Sequence, residues 1–351
     1  MATDIASTDP QCNTFLLGHS EAEQLFLRCW QNKSLHNSWL ITGIQGIGKA
    51  TFAYRLARFV LHADETKPEQ YNSLEVSPSS QAYKLIAGNA HPDFKILQRD
   101  YTDTDRKKIL KAIKEGDNLS PEELKELKKS AYIRVDDVRT INDFLSRRSS
   151  GDGWRVVIID SVDDMNSAAA NAVLKILEEP PYKTLMVLIS HNPNRLLPTI
   201  RSRCAKLELK PLKDNEVASL LRRYRPDISE ANIKKVTAIS SGSIGKAISY
   251  VDNNAADCYD AICSLVARGT NFSLSELLDF VNKSTSGEDS YYLTQELLLK
   301  FLSEHAKNTT KVVETADCWS YAIKTFSEVE GLNLDKKQAL INIISNMCKQ
   351  I

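Results

Sequence analysis

The stretch "HNSWLITGIQGIGKATFAYRLARFV", residues 36 to 60, constrains this chain more than any other. An apolar run leads into a glycine-rich turn, after which Phe52, Leu56, Phe59 and Val60 recur at helical spacing. Strand, glycine loop and helix in that order predict a parallel α/β unit, since the helix carries the chain back along one face of a sheet. The pattern G-x-x-x-x-G-K-[ST] is met at Gly43, Gly48 and Lys49, with Gly46 inside the loop. Such a loop turns backbone N–H groups and a helix N-terminus toward an anion, and Lys49 adds a point charge. The last position of the pattern is Ala50, which has no hydroxyl to hold magnesium. Thr51 follows, but a turn of about 100° around the helix predicts that its hydroxyl points away from a bound phosphate.

Further strands are expected at "FKIL" (94 to 97), "AYIRV" (131 to 135), "RVVIID" (155 to 160), "LMVLIS" (185 to 190) and "AKLEL" (205 to 209). Several are apolar without alternation, as suits central strands covered on both faces. Between them, Ala169, Ala172, Val173, Ile176 and Leu177 make one stripe of a helix ended by Pro180 and Pro181. Upstream of the loop, Ser20 and Glu23 read as a capping box, with Ala22, Leu25, Phe26 and Cys29 on one face of an N-terminal helix. The segment 98–130 is a charged insertion, with a helix start at Ser120, Pro121 and Glu123; its interleaved charges favour a solvated surface.

Strand signals fade after residue 210. The expected organisation is an α/β core over 1–209, a small helical domain over 210–253 and an all-α domain over 254–351. A chain of 351 residues accommodates these.

Charge narrows the function. With 45 basic and 45 acidic side chains the chain is neutral, which argues against a DNA-coating protein. The seven cysteines include no C-x-x-C pair, so neither zinc nor a disulfide framework is expected. No run approaches the roughly 18 apolar residues of a membrane span, and the polar N-terminus lacks a signal layout. The expectation is a cytoplasmic protein with reduced thiols and no membrane partner.

Asp160 ends an apolar strand, where magnesium-bound phosphates take an acidic ligand. Two readings stay open for it, a retained metal role and a strand-end cap. The next residue, Ser161, has no carboxylate to polarise an attacking water. Arg201 and Arg203 flank Ser202 and precede Cys204; they read either as a solvated pair or as a source of an arginine finger.

Taken in order, "GIQGIGKA", "VVIID", "NAVLKILEEPP" and "LLPTIRSRC" resemble the clamp-loader branch of the AAA+ ATPases. The further stretches "LLGHSEAEQLF", "AGNAHPDF", "VDDVRTINDFLSRRSSGDGWRVVIID" and "LNLDKKQAL" are similar to the delta-prime family of bacterial DNA polymerase III subunits. The resemblance implies an AAA+ P-loop core with a parallel sheet, a helical lid (210–253) and a collar (254–351) that joins subunits into a ring. It implies that Arg203, framed by Ser202 and Cys204, acts catalytically in trans on the ATP of a neighbouring gamma or tau subunit. It implies gamma/tau and delta subunits, the beta sliding clamp and primed DNA as partners, the last through the complex.

Departures from the active relatives sharpen the expectation. The four-cysteine zinc module of gamma-like relatives is missing from "HADETKPEQYNSLEVSPSSQAYKLIAGNAHPDF". Gly245 stands where those relatives place a lid arginine, with Lys246 one helical step off; Ser190 and His191 stand where the family senses the γ-phosphate. Gly43, Gly46, Gly48, Lys49 and Asp160 therefore read as a degenerate nucleotide site that needs no cofactor and retains at most ATP, ADP or phosphate. The expected function is a non-hydrolysing clamp-loader subunit whose polymerase label belongs to the holoenzyme. A gamma-like motor and a plain DNA-binding module are the alternatives.

Overall fold

The structure is a computed structural model that describes residues 7–115, 127–147, 149, 152–271 and 273–351. The helix start expected at Ser120, Pro121 and Glu123 lies outside the described residues. The chain divides into two compact units, Met1–Glu216 with Gly242–Gly245, and Val217–Ser241 with Lys246–Ile351.

In the first unit, β1 (Ser38–Thr42), β2 (Phe94–Gln98), β3 (Arg155–Asp160), β4 (Thr184–Ser190) and β5 (Ala205–Glu208) form one sheet in the order β2-β3-β4-β1-β5. All pairings are parallel. Side chains alternate across a strand, and here each set finds its own core. Trp39, Ile41, Val156, Ile158, Val187 and Ile189 face α1 (Ser20–Gln31) and α2 (Lys49–His62). Leu40, Val157, Ile159, Met186 and Leu188 face α5 (Val135–Ser146) and α6 (Ser167–Glu178) on the other side. Double coverage explains why these strands are continuous apolar runs. Two further helices, α3 (Gln81–Ala87) and α4 (Asp103–Glu115), precede α5. The short α7 (Pro198–Arg203) opens on a proline, whose fixed φ suits a first helical turn.

Some local signals yield to other partners. The strand expected at 131–135 is a single bridge from Ile133 to Met165, because Asp137 caps the backbone of Arg134 and starts α5 at Val135. The Ser20/Glu23 capping box does not form: the residue before α1 is His19 and makes no side-chain cap, while Glu23 pairs with Arg55 of α2. Leu25 is exposed and Leu27 takes the buried place beside Ala22, Phe26 and Trp30.

The second unit holds the rest of α8 (Asp214–Tyr224), then α9 (Glu230–Ser240), α10 (Ile244–Asp252) from Lys246 onward, α11 (Ala255–Ala267), α12 (Leu274–Ser284), α13 (Glu288–Asn308), α14 (Val312–Leu332) and α15 (Lys336–Gln350). Its interior includes Leu298, Leu302, Ala322, Phe326, Leu340 and Ile343. Across α8 and α10, Arg225 grips Asp252 through two hydrogen bonds of 2.7 and 2.6 Å.

Phe26 is fully buried with its ring 5.2 Å from that of Trp39, so it ties α1 to the sheet. Phe26→Ala is expected to destabilise the first unit by about 3–5 kcal/mol, read from its denaturant midpoint.

Candidate functional site

In an open parallel sheet, ligands bind beyond the carboxyl ends of the strands. The glycine loop follows β1 there, and Asp160 and Ser190 end β3 and β4; β4 lies between the strands that lead to Lys49 and to Asp160. Gly43, Gly46 and Gly48 have φ values of 143°, 80° and 102°, in the region that glycine enters without strain. The loop's carbonyls are all engaged within the chain. Lys49 Nζ donates to Gly43 O at 2.6 Å and to Ile44 O at 2.7 Å. Ser243 Oγ donates to Gln45 O and Gly245 N to Gly46 O, each at 2.8 Å. His19 Nε2 donates to Ile47 O at 2.8 Å, and Phe52 N to Gly48 O at 2.9 Å. The N–H groups of residues 44–48 find no acceptor among the described residues. The loop therefore keeps an anion-binding polarity: acceptors turned to the chain, donors not.

Burial sets the electrostatics of the site. Lys49 is buried, and desolvation lowers its pKa to about 8 against the pull of Asp160 and Asp163. Desolvation raises Asp160, opposed by His191 and Lys49. His191 is lowered by its burial first and by Lys49 second, so Lys49, Asp160 and His191 share one field. His19 is also lowered by burial, which favours the neutral ring that donates to Ile47.

Asp163, to which the sequence analysis assigned no role, makes the cap at this end of the sheet. It accepts from Ser190 Oγ at 2.9 Å, His191 N at 2.6 Å and Asn192 N at 3.3 Å. Its carboxylate is thus committed to the turn after β4. Ala50 supplies no oxygen, and Ser161 Oγ is buried without a partner among the described residues. At positions 50 and 161 the chain offers neither a hydroxyl for magnesium nor a carboxylate for an attacking water. Among the described residues no group of three or more His, Cys, Asp and Glu side chains is arranged to hold a metal ion.

Gly245 lies against the loop. A Cβ there would come within 2.8 Å of Gly46 Cα and 3.2 Å of Gly46 O, both backbone atoms that cannot swing aside. Lys246 pairs with Glu296 inside the second unit.

Arg203 lies elsewhere, at the end of α7. Its Nη1 donates to Thr199 O at 3.0 Å and its Nη2 pairs with Glu178 Oε1 at 2.7 Å, with 35% of the side chain exposed. Ser202 Oγ donates to the same Thr199 carbonyl at 3.1 Å. Cys204 is buried, and desolvation pushes its thiol up to about 12, so it serves as an anchor and not as a nucleophile. The two arginines are not a matched solvated pair: Arg201 Nε is buried without a partner among the described residues. Glu178 was visible in "LEEPP", but only tertiary contact gives it a role. His19 and Ser243 carried no sequence signal for theirs.

Gly245→Ala is expected to cost about 1–3 kcal/mol of stability, measured as a lower unfolding midpoint. A pH effect follows from Lys49. Between about 8 and its ordinary 10.5 the folded chain holds fewer protons at this residue than the unfolded chain does. Stability from this group therefore rises with pH across that window, and Lys49→Met removes the rise from a pH series of urea midpoints.

DNA polymerase III subunit delta' of Pseudomonas aeruginosa is 33% identical over 209 residues, which are 59% of this chain and 53% of that protein. The subunit delta' of Escherichia coli is 28% identical over 232 residues, 66% of this chain and 59% of that one. DNA polymerase III subunit tau/gamma of Haemophilus influenzae is 24% identical over 283 residues, 79% of this chain and 35% of that one. The chain thus spans between a third and three fifths of the length of these relatives. A model of the family described as DNA polymerase III, delta subunit, matches residues 18–213, from the start of α1 through β5, and the chain belongs to that family.

Proposed function

We propose that this chain is a delta-prime-like subunit of a DNA polymerase III clamp loader, one that does not hydrolyse ATP and offers Arg203 to the ATP of a neighbouring gamma/tau subunit. The observation that carries this reading is the contrast between two places in one unit. The chain's own phosphate loop lacks a magnesium hydroxyl at Ala50, has buried Ser161 where a water-polarising carboxylate would stand, and has Gly245 packed on Gly46. Arg203 is exposed on a short helix whose Ile200 and Cys204 are set into the core. A guanidinium on a rigid edge suits recognition of a phosphate across an interface. The relatives named subunit delta' and tau/gamma supply the kind of assembly.

In this reading the loop is a phosphate cradle without turnover, which holds ATP, ADP or phosphate at most, with no zinc. Residues 1–209 are the AAA+ core, 210–253 the lid and 254–351 the collar of a hetero-oligomer. Its partners are gamma/tau and delta subunits, the beta clamp and, through the complex, primed DNA. No helix of the described chain is long and apolar enough to cross a membrane, and a cytoplasmic site is part of the proposal.

The isolated chain is expected to show no magnesium-dependent ATPase activity, and steady turnover by it alone would overturn the non-hydrolysing reading. In a reconstituted loader, Arg203→Ala is expected to slow hydrolysis at the adjacent site by roughly 10³-fold, seen as lost DNA-stimulated clamp loading. Normal loading by that variant would sink the finger role.

A further inference from the structure

Glu178 and Arg203 join the chain's two most specific motifs, "LEEPP" and "SRC", through one ion pair of 2.7 Å. Both ends of the pair are set in rigid structure. Ile176 and Leu177 precede Glu178 in the same core that holds Ile200 and Cys204 on either side of Arg203. α6 ends at Glu178, before Pro180 and Pro181. A carboxylate in the last turn of a helix meets the negative end of its dipole, so this position favours a cation and is a poor place for a glutamate chosen for helix stability. Arg203 is the cation that compensates it.

The cost falls on the arginine's availability. Bidentate recognition of a phosphate uses a pair of guanidinium N–H groups on adjacent nitrogens. In this chain Nη1 is turned to Thr199 O and Nη2 to Glu178, so both terminal nitrogens are engaged with the subunit's own atoms. The Glu178 side chain is 49% exposed, which leaves the pair open to water and to exchange. A terminal phosphate, with more charge than a carboxylate, is a stronger acceptor for the same fork.

We propose that Glu178 is a positioning residue that holds Arg203 back in the resting subunit and yields it when the triphosphate of a neighbouring ATPase subunit comes within reach. The inference rests on the arginine-finger reading above. Its consequence is a brake: the finger is withheld while the interface is loose, and hydrolysis without DNA stays low.

The test uses a reconstituted loader carrying wild-type, Glu178→Gln, Arg203→Ala or the doubly substituted chain, with ATP hydrolysis measured with and without primed DNA. Glu178→Gln keeps the side chain's size and removes its charge. It is expected to raise the DNA-independent rate about two- to fivefold, the shift that a surface ion pair supports, while the DNA-stimulated rate stays near wild type. The double variant should match Arg203→Ala, because the gain acts through the arginine. A merely structural role for Glu178 predicts a fall in both rates together with a lower unfolding midpoint, and that result overturns the proposal. An unchanged DNA-independent rate in Glu178→Gln, where Arg203→Ala still slows the loader, overturns the brake and leaves the finger standing. Full activity in Arg203→Ala removes the finger and the brake together.

Discussion

A chain that turns through left-handed glycines at the end of a buried sheet has no strand partner for its carbonyls, and a buried unpaired carbonyl is costly. The loop from Gly43 to Gly48 meets this constraint with donors from distant parts of the first unit. Lys49 closes it from below, His19 from the residue before α1, and Ser243 with Gly245 from the segment that follows α9. One backbone requirement thus fixes where α1 starts, why residues 242–245 belong with the sheet, and why position 245 has no room for a side chain. The same accounting leaves the N–H groups of residues 44–48 without an acceptor among the described residues, a polarity suited to an anion.

The charges divide along similar lines. Around the loop they are opposed and at least half-buried: Lys49 is depressed and Asp160 raised, chiefly by desolvation, and Asp163 is committed to the turn after β4. At α7 they are partly exposed, with Arg203 held by Glu178 and by the carbonyl of Thr199.

Periodicity and punctuation made much of this legible. Continuous apolar runs located the three central strands β1, β3 and β4, because strands covered on both faces tolerate little else, while the edge strands β2 and β5 carry lysines and were found by shorter apolar stretches. Phe52, Leu56, Phe59 and Val60 are buried as their helical spacing predicts, and Pro180 marks the end of α6. The errors arose where a local signal competed with a long-range one. The run at 131–135 looks like a strand, yet the Asp137 carboxylate accepts from Arg134 N and starts a helix first. Ser20 and Glu23 have the spacing of a capping box, but Arg55 claims the glutamate and His19 turns to Ile47. Leu25 and Leu27 are equally apolar, and only the direction of the sheet decides which is buried.

The sequence by itself determined the phosphate loop and its missing hydroxyl, the parallel α/β core, the helical remainder and the Ser-Arg-Cys turn. Each of these is a matter of residue type at close spacing, which governs local geometry and the chemistry a side chain can offer. Only the tertiary structure decided that Asp163 caps the sheet, that Gly245 lies on Gly46, and that Glu178 grips Arg203. Those contacts join residues 25 to 199 positions apart, and no local preference specifies them. The Asp163 and Glu178 contacts follow from strand order, which inserts β4 between β1 and β3 and brings α6 against α7.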